Sequence, residues 1–183
     1  MTLAKVTIAA LMFGGCSNLL DLRVQTEALC VPTLSQTFSG SSAPPGLPFP
    51  GTSTKMVMID FSKPLEQIPG KKAGIEVDAR LDQVFIRSMV TDLAFVKRVK
   101  VSLASGDPDT TLPPIYIGEY VKSGTAMPPI HELKIQSAYD SNVIKYLEGQ
   151  PANLIFTATG TPPGDSFMAD VEACVYVQSK ADY

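Results

Sequence analysis

Proline and glycine interrupt this chain so often that long helices have little room. Fifteen prolines and thirteen glycines are spread along 183 residues. In a helix interior a proline costs about 3 kcal/mol and a glycine about 1 kcal/mol relative to alanine. Beyond residue 16 helical spacing rarely persists, while short runs rich in Val, Ile, Thr, Tyr and Phe recur between the breaks. Runs of that kind, bounded by turn-forming residues, read as strands. Apolar residues make up 45% of the chain and charged ones 18%, which is enough apolar material to fold. The length suits one well-buried domain better than two.

The clearest strand is IEVDARLDQVFIRSMV, from Ile75 to Val90. Ile75, Val77, Ala79 and Leu81 alternate with Glu76, Asp78, Arg80 and Asp82, giving one dry and one wet face. Around Asp82 and Gln83 the alternation blurs, as a bulge or turn would make it. Further strands are expected in LLDLRVQTEALCVPTL (Leu19 to Leu34, interrupted by Pro32), in IYIGEYV (Ile115 to Val121) and in ELKIQSA (Glu132 to Ala138). NLIFTATG (Asn153 to Gly160) and FMADVEACVYVQSK (Phe167 to Lys180) complete the series. KMVMIDF (Lys55 to Phe61) is apolar enough to be a buried strand. DLAFVKRVKVSLAS (Asp92 to Ser105) starts with a helical turn and passes into a strand. PLEQIPGKKAG (Pro64 to Gly74) reads as a turn or a single helical turn. SNVIKYLEGQ (Ser141 to Gln150) is the best short helix, with Ser141 to cap its start and Gly149 to end it.

With no βαβ alternation, about eight or nine short strands and one small helix fit an antiparallel β-sandwich, broadly immunoglobulin-like, with a small barrel as the alternative. The segment 38–54 is dense in Pro, Gly and Ser and fits a flexible surface loop, with Leu47 and Phe49 as its apolar members.

The N-terminus is of a different kind. Lys5 supplies a positive charge, Val6 to Phe13 an apolar run, and Gly14 and Gly15 the small residues that precede Cys16. The apolar run is too short to span a bilayer, which takes about 20 residues. A positive start, a short apolar stretch and small residues describe a secretory signal. The arrangement F-G-G-C resembles a bacterial lipobox. That resemblance, confined to residues 1 to about 18, implies that residues 1–15 are a signal peptide and that Cys16 receives a diacylglycerol before cleavage. It also implies a mature chain, 16–183, held at the cell envelope. Ser17, where an Asp would retain the protein at the inner membrane, implies delivery to the outer membrane.

With Cys16 lipidated, Cys30 and Cys174 remain as an even pair, and in an exported chain that pair reads as a disulfide. Strand parity argues against the bond, most of all against one through the core, and leaves open a bond between neighbouring strands. Cys174 lies opposite the apolar set Val171, Ala173, Val175 and Val177, whereas Cys30 shares the parity of Leu20, Leu22 and Val24 unless a bulge intervenes.

Little catalytic chemistry is encoded. The lone histidine, His131, has no G-x-S-x-G elbow to serve and no second histidine for H-E-x-x-H, so it reads as a surface residue and the chain as a non-enzyme. Asp107 and Asp109 in GDPDTT have the spacing of calcium ligands but lack the rest of such a loop, so they stand as a weak metal candidate and no cofactor is expected. The net charge of −3 and the absence of a long basic run exclude a nucleic-acid footprint; the densest basic cluster is KRVK, Lys97 to Lys100. The expected function is therefore a membrane-anchored structural or protein-binding module of the envelope, the alternative being a carrier of lipids or other apolar molecules.

Overall fold

The computed structural model describes residues 22–25, 28–40, 53–67, 76–124, 129–148, 150–161 and 163–181. The signal segment, Cys16, and the loop residues Leu47 and Phe49 lie outside them. Among the described residues nine strands form: β1 (Leu22–Gln25), β2 (Leu29–Phe38), β3 (Ser53–Ile59), β4 (Glu76–Arg87), β5 (Val96–Ala104), β6 (Ile115–Val121), β7 (Glu132–Gln136), β8 (Ala152–Gly160) and β9 (Phe167–Ala181). All their pairings are antiparallel. Two single-turn helices, α1 (Ser62–Glu66) and α2 (Ile144–Leu147), and a 3-10 turn at Leu93–Phe95 connect them.

Both β1 and β2 pair with β9, so they follow one another along the same edge of the first sheet, which runs β1/β2–β9–β4–β7. The second sheet runs β3–β8–β5–β6. The two sheets form the expected antiparallel sandwich. Its connectivity, which strand patterns alone do not reveal, is the double Greek key of a jelly roll: of the links after β2, only β5–β6 stays within one sheet. Facing edges of the two sheets also meet. The Ala138 amide just after β7 donates to the Ile117 carbonyl on β6 at 2.7 Å. At the other side the Thr33 hydroxyl of β2 reaches the Met58 carbonyl of β3 at 3.4 Å.

Inward-facing side chains of both sheets fill the space between them. Val84, Val101, Leu103, Ile117, Ile135 and Val171 are all fully buried, each a contribution of about 1.5–3 kcal/mol by transfer from water. The only buried polar residue among those described is Ser88; its hydroxyl donates to the Met168 carbonyl and accepts the Thr91 amide.

Register shifts decide which residues face the core. In β4, Leu81 pairs with Val175 and Gln83 with Cys174, so Asp82 is the extra residue of a bulge. Val77, Ala79 and Leu81 are buried before it, Val84 and Ile86 after it. The blurred alternation in the sequence marks this site. A second bulge in β2 lies between Thr33 and Gln36, where Ser35 adopts a left-handed φ of 57° and its amide donates to the Asp170 carboxylate. Pro32 does not break β2 as expected from sequence; it sits in an edge strand, where a missing N–H can be tolerated.

Two local expectations need correction. KMVMIDF is buried only at Val57, Ile59 and Phe61, while Met56 and Met58 are 57% and 67% exposed. The helix expected over Ser141 to Gln150 is one turn, and Ser141 does not cap it. Instead the Asn142 side chain accepts the amides of Ile144 and Ala79 and donates to Asp78, tying α2 to β4.

Candidate functional site

The two sheets present chemically different outer faces. On the first, β4, β7 and β9 bring together residues far apart in sequence. Register places Arg87 opposite Glu132 on β7 and Asp170 on β9, and its guanidinium bonds Glu132 at 2.6 Å and also Glu172. These two carboxylates, Glu132 first, hold the Arg87 charge even more firmly than usual. The guanidinium also lies over the Phe85 ring at 4.3 Å, and the Lys134 ammonium approaches the same ring at 5.8 Å. The group is about two-fifths exposed at Arg87, so the pairs fix geometry more than they stabilise the fold.

Beside this cluster Cys30 and Cys174 form a disulfide between directly opposed residues of β2 and β9, with Cα atoms 4.0 Å apart. Cys174 is buried and Cys30 exposed. The bond therefore lies on the outer face of one sheet, between neighbouring strands. Sequence parity pointed Cys30 the other way for a specific reason. From Gln25 to Leu29 the edge advances four residues while its partners, Gln178 to Val175, advance three. One extra residue inverts the parity. A Glu172 carboxylate oxygen lies within 4.8 Å of both sulfurs, but the sulfurs are bonded to each other.

The remaining sequence candidates are not gathered into one place. His131 precedes β7 on the surface, where its Nδ1 lies 3.0 Å from the Ser88 carbonyl and its own carbonyl accepts the Ser88 amide, a pairing that extends the β4–β7 ladder. Asp107 and Asp109 are exposed, and the Asp107 carboxylate accepts the Asp109 amide at 2.9 Å in a local turn. Neither belongs to a group of three or more His, Cys, Asp or Glu donors close enough to share an ion among the described residues.

The second sheet's outer face is quieter and less charged. Register aligns Met56, Ile155, Ser102 and Tyr116 in a row across all four strands, with Met58, Asn153 and Ala104 beside it. Arg98 and Lys100 on β5 border the row; Glu119 bonds Arg98 at 2.6 Å. The outward methionines gave no sequence signal, because Val57 and Ile59, which alternate with them, are just as apolar. A third feature is a turn after β4 that exposes Met89 and Val90 almost completely (89% and 93%), next to Met168, also exposed.

No family model matches the chain, and no curated protein matches it. Among solved structures it is similar to a chain of turnip yellow mosaic virus, at 14% identity over 98% of this chain and 91% of that one, with a TM-score of 0.33.

Proposed function

We propose that the protein is a lipid-anchored envelope module, tethered through Cys16, whose β-sandwich contacts another protein rather than catalysing a reaction. The observation that carries this reading is the sequence F-G-G-C behind a short apolar run, six positions ahead of the first strand. Attachment of acyl chains there anchors firmly, since each buried CH₂ adds about 0.8 kcal/mol. The disulfide agrees with export to an oxidising compartment. The Met89–Val90 turn, almost fully exposed, offers apolar side chains to a protein partner. The test is metabolic labelling with a palmitate analogue in a diderm bacterium. Wild type is expected to take the label and Cys16→Ala to lose it; an unlabelled wild type overturns the reading.

A further inference from the structure

The chain carries a net charge of −3, yet one patch on the second sheet carries more cations than carboxylates among the described residues. Arg98 and Lys100 point outward from β5, and Lys97 is exposed at the adjacent bulge, against the single carboxylate of Glu119. Next to them lies the uncharged row of Met56, Ile155, Ser102 and Tyr116, with Met58 beside it. Cations bordering flexible apolar side chains on the outer face of one sheet fit an anionic interface with an apolar interior. Methionine suits such a place because its unbranched chain adapts to irregular surroundings.

Position supports the same partner. From Cys16 to Leu22 the chain can span at most roughly 20 Å, so an acylated Cys16 holds the sandwich close to the bilayer. The tether enters through β1, which shares an edge with β2, and β2 abuts β3 through the Thr33–Met58 contact. The strand that carries Met56 and Met58 thus borders the first-sheet edge that β1 shares with β2.

We infer that the outer face of the second sheet lies against an anionic phospholipid surface, Met56, Met58, Ile155 and Tyr116 entering the headgroup layer and Arg98 and Lys100 meeting lipid phosphates. The inference rests on the reading of Cys16 as the anchor. Near an anionic leaflet a single cation strengthens binding by about 1 kcal/mol, roughly a fivefold change in affinity.

Methionine oxidation footprinting of the full lipidated chain tests it, in vesicles of phosphatidylcholine alone or mixed with phosphatidylglycerol. On the mixed vesicles Met56 and Met58 are expected to oxidise several-fold more slowly than on neutral ones, with Met89 unchanged as the internal reference. Lys100→Gln, an exposed substitution, is expected to restore much of the Met56 rate. Equal rates on both vesicles overturn the inference, and so does protection that ignores both lipid charge and Lys100, which signals a protein or a second copy on this face. Palmitate labelling of the same preparation separates the two readings. A labelled chain with unprotected Met56 and Met58 keeps the anchor and loses the docked face. An unlabelled chain loses the anchor, and added phosphatidylglycerol vesicles then support the face if they protect both methionines and overturn it if they do not.

Discussion

Asp92 shows how much one side chain can organise here. Its carboxylate accepts the amides of Ile130 and Ala94 at 2.8 and 2.9 Å, capping the 3-10 turn and joining it to the segment before β7. Those backbone donors, Ile130 first, hold its pKa below the ordinary 3.8. A depressed carboxylate contributes stability that is complete above the unfolded value and lost as pH falls through the folded one. Asp92→Asn is therefore expected to lower Tm at neutral pH, and the gap from wild type is expected to close as pH falls below the ordinary aspartate value, read by thermal melts across that range. Asp60 is lowered in the same way, first by the Ser62 hydroxyl and then by the Ser62 amide, and adds to the acid sensitivity of wild type. The disulfide acts over a longer range. It joins residues 144 apart, for which the chain-entropy estimate is about 5 kcal/mol and typical measured values are about 2–4 kcal/mol. Cys30→Ala with Cys174→Ala is expected to lose stability in the measured range in denaturant titrations, and wild type under reducing conditions to match it.

Among the elements, the seam between β6 and β7 admits only a residue without a side chain. A Cβ at Gly118 would lie 2.4 Å from the Gln136 carbonyl oxygen, so backbone occupies the space a side chain needs. Gly118→Ala is expected to cost about 1–3 kcal/mol as overpacking, seen as a lower denaturation midpoint and faster amide exchange at Ala138. Most elements were legible because period-two patterns and Pro/Gly breaks are local. IYIGEYV became β6 over the same residues, and DLAFVKRVKVSLAS became a 3-10 turn running into β5. What failed was parity across places where the pattern is silent. The extra residue between β1 and β2 turned Cys30 outward, and the unbroken apolar run Met56 to Ile59 hid the outward methionines. The Asn142 link between α2 and β4 was equally invisible, since it joins residues more than sixty positions apart.

At the scale of the molecule, pairing across sequence distances decided what no local pattern could: the jelly-roll order, the Arg87–Glu132–Glu172 group, and the contrast between a salt-bridged face and an apolar, cationic one. The candidate site was correspondingly only half readable. Cys16, Cys30 and Cys174 stood out as residue types at telling positions, whereas the surfaces became visible only with the strands in register. The proposed account joins these levels, with an acylated Cys16 supplying the attachment and the sandwich supplying faces that meet membrane and partner. Intact-mass and N-terminal peptide mass spectrometry of the protein taken from the envelope fraction tests this most directly. The account expects a chain that begins at Cys16 and carries diacylglycerol on its sulfur. A soluble chain that retains residues 1–15 with an unmodified Cys16 would contradict it.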